Sequence, residues 1–459
     1  MATSAKLPRG PGIPIAGSTF HYFREPLAFM DAASKLGDIV DLRFFHHRAF
    51  LVNEPALIEQ VLVKAPGSFH KDMFANELKR VLGEGLLTSE GDFWKRQRRL
   101  IQPAFHRDRI AGYAKIMVEH TTRMLDRWRP ETTLDLHHEM MKLTSDIVAH
   151  ALFGGDAADP SEVAWCIEAM MERFGDPIYL MLPILNKLPL PGNRKVGEVR
   201  ARLDAVVGEF IARGRARPKD AAGGDLLGML LAARDEDGSR MTDLQVRDEI
   251  LILFLAGHET TALALSWTFH LLANHPEVER ALVDELATVL QGRTPTLEDL
   301  PKLRVAEQIV QETLRLYPPA WSLGRQAIEP FTLGGYPFQP GDWLWIIPFA
   351  LHRDARWFSD PLAFRPTRWA DGLAKRLPKG AYLPFGAGPR ICIGNQFAMM
   401  EAVLLLATIV QRFSLRNDAS GPRVEPDPSI TLRFKHGLRM GVSARGANSS
   451  REALTASAP

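Results

Sequence analysis

One cysteine of the chain, Cys392, sits in a glycine-punctuated loop, Phe385-Gly386-Ala387-Gly388-Pro389-Arg390-Ile391-Cys392-Ile393-Gly394. An apolar, helix-forming run follows directly, Asn395-Gln396-Phe397-Ala398-Met399-Met400-Glu401-Ala402. Glycines at 386, 388 and 394 let the backbone turn tightly and approach a bulky group closely. A thiol just ahead of a helix N-terminus sees unpaired N–H groups and the positive end of the helix dipole. Both favour the thiolate, the form that binds metal. A buried, inert cysteine in a turn is the plainer reading of a lone thiol, and only the residues around it argue otherwise.

Those residues form a pattern. Phe385, Gly388, Arg390, Cys392 and Gly394, with Gly386 among them, match the Phe-x-x-Gly-x-Arg-x-Cys-x-Gly heme-binding signature. The chain therefore resembles the cytochrome P450 family, over nearly its whole length from Pro8 to Ser443. The resemblance implies that Cys392 ligates the iron of heme b, with Phe385 and Gly394 lining the ligand loop. In such proteins the thiolate pushes electron density towards iron and favours O–O cleavage. Backbone N–H groups after Cys392 would tune the sulfur. Arg390 and Arg325 match positions that bind the heme propionates.

The opposite face of a heme needs a helix that admits dioxygen and delivers protons. Ala256-Gly257-His258-Glu259-Thr260-Thr261 matches the family's acid–alcohol motif. Ala256 and Gly257 leave room where a larger side chain would block dioxygen. Thr260 can bond back to the Ala256 carbonyl four residues earlier, which bends or widens a helix. Its hydroxyl can then donate towards dioxygen while Glu259 relays protons from solvent. Threonines packed in a core helix are the plainer alternative.

Trp94 and Arg98, four apart, share a helix face and resemble a propionate-binding pair; indole N–H and guanidinium are pure donors. Lys95, Arg96 and Arg99 would then offer a docking patch to an acidic electron donor, a ferredoxin or flavodoxin served by its own reductase. A solvated basic face is the alternative. Glu312 and Arg315, at i and i+3, can pair, and with Arg368 they resemble the family's Glu-Arg-Arg triad, a structural lock. Thr367 stands where the family pattern usually has Glu. The family's topology places substrate contacts at the 69–88 loop, the 165–185 lid, Leu253–Ala256, Ala320–Leu323 and Ile430–Leu432. Nearly all are apolar here, and ordinary core packing explains each of them equally well.

Around these residues the chain reads as a single mainly α domain, 1–445, with a smaller β region, the cytochrome P450 fold. Residues 8–18 form a Pro/Gly-rich lead-in, followed by a helix over Pro26–Leu36, strands near Ile39–Phe45 and Ala49–Val52, and a helix over Pro55–Lys64. Gly67–Glu90 reads as loop, and a helix starts at Asp92. Residues 110–154 and 159–215 are helical by period, interrupted by Pro177, Pro183, Pro189 and Pro191. Pro218 and Gly223-Gly224 mark a break before a short helix, Asp225–Arg234. Glu249–Asn274 reads as a buried central helix. As a membrane span it would carry a Glu at mid-depth, costing about 2.5–3.5 kcal/mol. Strands follow at 331–350, Ile430–Phe434 and Gly437–Val442, then a small polar tail, 446–459.

The 459 residues are 46% hydrophobic and 24% charged, with a net charge of +2. That balance suits a globular protein and argues against nucleic acid as a partner. Two cysteines, Cys166 and Cys392, are too few for a disulfide framework and suit the cytoplasm. The N-terminus shows no apolar anchor. The expected activity is a monooxygenase reaction: one oxygen atom of O2 enters a hydrophobic small molecule (fatty acid, terpenoid or polyketide-like) and the other becomes water. The expected protein is a monomer. A peroxide-driven peroxygenase is the alternative within the fold, and a heme- or lipid-binding protein without turnover is the alternative outside it.

Overall fold

The computed structural model describes residues 6–45, 47–154, 161–174, 188, 190–217 and 225–445. By contacts the chain divides into two compact units. The first takes in residues up to Asn76, Gln311–Cys392 and Pro426–Arg433; the second takes in Glu77–Val310, Ile393–Glu425 and Phe434 onward.

The first unit is organised by a five-stranded sheet in the order Ile39–Phe44, His47–Val52, Trp343–Ile346, Leu323–Ala327, Phe69–His70. Ile39–Phe44 pairs antiparallel with His47–Val52, which runs parallel to Trp343–Ile346. The remaining pairs are antiparallel. Side chains alternate across the pleat. Leu42, Leu51, Trp343 and Trp345 fill a core on one face, and Ile39, Phe50, Leu344 and Ile346 fill a core on the other. Both faces thus carry buried apolar side chains, as the β-branched and aromatic runs require. The helix Pro26–Ser34 lies within the expected span, and Pro55–Glu59 continues into a wider π-turn, Gln60–Lys64.

The second unit is built on the helix Asp243–Asn274, six residues longer at its start than expected. Thr242 caps it, with its hydroxyl accepting from Gln245 N–H and the Gln245 side chain returning to the Thr242 N–H. Thr-x-x-Gln is the capping-box pattern, and it lies ahead of the expected helix start at Glu249. The helix is long and apolar enough to cross a membrane, yet 83% of its most apolar window is buried, as befits a core helix. Leu136–Phe153 packs along it, and Trp267 stacks on Phe434 at 3.9 Å. A three-stranded sheet, Thr132–Asp135, Arg439–Ala444 and Phe413–Asn417, completes the unit.

Two expectations change. The segment read as loop holds a helix, Met73–Leu82, with Val81 and Leu82 buried; the loop proper begins at Gly83. The block 110–154 is two helices, Arg107–Leu125 and Leu136–Phe153, separated by the strand Thr132–Asp135. Pro177, Pro183, Pro189, Pro218, Gly223-Gly224, positions 175–185 of the expected lid and the tail 446–459 lie outside the described residues.

Candidate active site

In the first unit the cysteine loop is closed by its own backbone. Cys392 N–H donates to the Phe385 carbonyl at 2.9 Å, and Ile391 N–H to that of Gly388 at 3.0 Å. Gly386 and Gly388 have φ of 71° and 69°, a region that disfavours side chains. At Gly388 space is also lacking, since a Cβ would lie 2.0 Å from the Leu62 carbonyl oxygen. The loop therefore rests backbone-to-backbone on the π-turn Gln60–Lys64. Its entrance is held by His352, whose Nε2 accepts the Leu383 N–H at 2.8 Å. Burial, reinforced by the charges of Arg315 and Arg353, pushes the imidazole pKa down to about 3. It stays a neutral acceptor.

These constraints leave the Cys392 side chain exposed and outside any disulfide, beside a part-exposed Ile391. Arg390 ends the short 3-10 turn Gly388–Arg390 and is half-buried, as is Phe385. Arg325 lies on the strand Leu323–Ala327, where four of five residues are half-buried, and it donates to the Gly324 carbonyl at 2.7 Å. A thiol presented on an apolar loop, in a unit that also offers half-exposed guanidinium donors, fits an apolar macrocycle with a soft metal ligand and two carboxylates.

The expected triad is assembled in the same unit. Arg315 donates through Nε and Nη2 to the two Glu312 oxygens, and Arg368 Nε donates to Oε1, all at 2.9 Å. Trp369 Nε1 and Arg365 N–H also donate to Glu312 at 2.9 Å. Arg315 further binds the carbonyls of His352 and Pro361, and Arg368 that of Ser359. Sequence spacing suggested the first pair but not Trp369 or the carbonyls. Of the expected substrate segments, Trp321 and Leu432 belong to the core, and Trp321 Nε1 donates to the Ser429 carbonyl at 2.8 Å. Ala320 and Ile430 remain exposed.

In the second unit the central helix carries a local opening. From Val246 to Phe269 every residue is buried except Ala256, Gly257 and Thr260. Thr260 Oγ1 donates to the Ala256 carbonyl at 2.6 Å, as expected, and the helix stays α throughout. Glu259 is buried next to it. Gly257 needs a different explanation from the one its sequence suggests. A Cβ there would sit 2.7 Å from Val148 Cγ2, so the missing side chain lets the central helix approach Leu136–Phe153. Ala256 is the residue whose small size keeps the opening clear. Thr144 Oγ1 reaches the His258 carbonyl at 2.8 Å, and His258 Nδ1 lies 2.8 Å from the Phe254 carbonyl.

Two buried acids of this unit escaped the sequence reading. Glu401, on Asn395–Arg412, is raised by burial to about 8, with Thr261 donating to it. Glu249 is raised by burial to about 7 and accepts from Leu86 N–H at 3.0 Å and Gln97 Nε2 at 2.9 Å. Neither has a motif; the only hint is a lone acid among apolar helix neighbours.

Trp94 is buried and Arg98 half-buried on Gly91–Ile101. The cations on that helix are engaged locally. Lys95 pairs with Asp92 at 2.8 Å, and Arg96 and Arg99 both pair with Asp235 at 2.7 Å. A docking partner would have to compete with those carboxylates.

A family model for cytochrome P450 matches residues 8–437. The chain is 38% identical over 424 residues to cyclooctatin synthase of Streptomyces melanosporofaciens, covering 92% of each. It is also 38% identical over 423 residues to cyclooctat-9-en-7-ol 5-monooxygenase of that organism, covering 92% of this chain and 90% of the relative. Identity to pentalenene oxygenase of Streptomyces avermitilis is 33% over 438 residues, covering 94% and 96%. A cytochrome P450DA heme domain superposes with a TM-score of 0.85 at 26% identity, covering 96% and 98%. These relatives favour a monooxygenase over a peroxide-driven enzyme. The chain belongs to the cytochrome P450 family and is a heme-iron monooxygenase, an oxidoreductase that places one oxygen atom of O2 in a hydrophobic small molecule using electrons from redox partners.

Proposed function

We propose that Cys392 is the thiolate ligand of heme b within one P450 domain spanning 1–445. Arg325, Arg390, Trp94 and Arg98 would hold its propionates. The observation that carries this reading is the exposed Cys392 thiol on a loop closed by the Cys392 N–H bond to the Phe385 carbonyl and the Ile391 N–H bond to that of Gly388. Heme, when bound, supplies the activation of dioxygen. The chain's own part is proton handling and exclusion of water. Thr260, half-exposed with its proton on the Ala256 carbonyl, offers an oxygen lone pair to a protonated ligand, or rotates to donate. Glu259, buried beside it, is the residue through which a proton would be resupplied. Ala256 keeps bulk away from that point, while Gly257 lets the central helix approach Val148. The Glu312-Arg315-Arg368 network and His352 hold the loop so that the thiol stays placed.

The substrate proposed is a polycyclic terpenoid hydrocarbon or its alcohol, a choice the names of the relatives support over fatty acids or polyketides. The donor proposed is a ferredoxin or flavodoxin with its reductase, meeting a monomeric, cytoplasmic enzyme near Lys95–Arg99. Charge reversal at Lys95 should raise the donor's apparent Michaelis constant; unchanged donor kinetics would remove that surface. The central reading is tested by the reduced carbon monoxide spectrum. A strongly red-shifted Soret band is expected from the wild type and none from Cys392→Ser. A heme-loaded wild type without that band would sink thiolate ligation.

A further inference from the structure

We propose that Glu249 is a positioning residue whose carboxylate ties the loop Gly83–Thr88 and the Trp94–Arg98 helix turn to the central helix, so fixing two groups of contacts at once. The inference rests on the proposed heme contacts of Trp94 and Arg98 and on the substrate contacts that the family resemblance implies for the 69–88 segment. Glu249 is fully buried on the central helix. One oxygen accepts the Leu86 N–H and the other accepts Gln97 Nε2. Gln97, itself fully buried, lies between Trp94 and Arg98 on the same helix. The next carboxylate, Asp248, accepts the Glu84 N–H at 2.7 Å. The loop is pressed close enough that Cβ atoms at Gly83 and Gly85 would collide with Asp248 and with Ile252 and Glu249. Thr88 closes it by donating to the Gly83 carbonyl at 2.6 Å. Two adjacent acids thus supply the acceptors for a loop that folds no sheet or helix of its own.

A buried carboxylate is a costly way to pack a helix unless its acceptors are needed. Burial raises Glu249 to about 7, with Asp248 adding to the rise and the two hydrogen bonds opposing it. Ionised, it accepts from both elements. Protonated, one oxygen becomes a donor facing a donor, unless the Gln97 amide turns to offer Oε1, which finds no partner among the described residues. The other charged groups on the elements packed here are Asp248 and Arg247 on the central helix, Asp204 paired with Arg247, Glu84 on the loop, and Glu90, Arg96 and Arg98 around Gln97.

The test uses the holoenzyme and reads hydrogen exchange at the Leu86 peptide, corrected to protection factors, alongside ligand affinity from the Soret shift with camphor-like and sesquiterpene probes. In the wild type, protection should rise about tenfold as pH falls from about 8 to about 6, because the closed, buried arrangement holds the Glu249 proton more tightly than an opened one, and affinity should follow it. Glu249→Gln should be flat over that range, because its amide does not titrate; the amide oxygen accepts from Leu86 N–H, and its NH2 donates to Gln97 Oε1 once the Gln97 amide turns. Glu249→Ala should lose the protection at both pH values; should it fail to fold, Gln97→Leu, which removes one donor and leaves the helix intact, carries the test and should lower protection at Leu86. Unchanged Leu86 protection in the foldable variant, or the same pH dependence in Glu249→Gln, overturns the role of Glu249. A normal carbon monoxide band in those samples means that the heme-thiolate reading survives such a failure; loss of the band in the wild type strikes that reading alone.

Discussion

Glu312 and Arg315, one helix turn apart, form a two-pronged ion pair with both N···O distances at 2.9 Å and neither side chain exposed. Glu312 is also the acceptor for Arg368, Trp369 and the Arg365 backbone. Glu312→Ala would strand two buried guanidiniums. The expected loss is about 3–5 kcal/mol, typical of removing one partner of a buried pair, together with loss of bound heme. Thermal unfolding with heme absorbance checks both, and a variant within about 1 kcal/mol of wild type would contradict the locking role.

Thr260 stands at the one opening in the buried central helix. Thr260→Ala should keep the carbon monoxide band while product formed per NADPH falls by about tenfold or more, as when a proton donor is removed. Thr260→Ser, which keeps the hydroxyl, should retain most of the coupling. Intact coupling in Thr260→Ala would remove this residue from oxygen activation.

Gly386 and Gly388 both have positive φ, but only Gly388 faces a backbone atom. Gly388→Ala should therefore cost about 1–3 kcal/mol through strain and contact with Leu62, with weakened heme retention. Gly386→Ala, with nothing within 4 Å of its Cβ, should cost about 1 kcal/mol from φ alone. Equal melting temperatures for the two variants would show that the Leu62 contact is not limiting.

His352 is buried in its neutral form, with a folded pKa of about 3 against about 6.5 in the unfolded chain. The unfolded state binds the proton first, so stability from this group is complete above about pH 6.5 and declines as pH falls towards about 3, by up to about 1.4 kcal/mol per pH unit. His352→Gln, which can still accept from Leu383, should show a shallower acid decline in melting temperature. An unchanged acid slope would mean that other groups control it.

The sequence by itself determined the family, and it showed the motif around Cys392, the Thr260–Ala256 back-bond and the Glu312–Arg315 pair, because each of these three depends on spacing within one turn or one loop. Helices within Pro26–Leu36 and over Glu249–Asn274 were legible for the same reason, since period is local; the first six residues of the central helix, from Asp243, lie outside the expected span. Met73–Leu82 is masked in the sequence by the turn signals of Gly67, Gly83 and Gly85, and the burial of Val81 and Leu82 is a matter of tertiary packing. The tertiary structure alone decided that Gly257 serves the approach of Val148, that Gly388 rests on Leu62, and that Arg96 and Arg99 spend their charge on Asp235. It alone placed Glu249 between Leu86 and Gln97. These partners lie far apart along the chain, and no periodicity links them. What brings them together is the packing of one helix or loop on another, which fixes both where a side chain has no room and where a buried charge finds its donors.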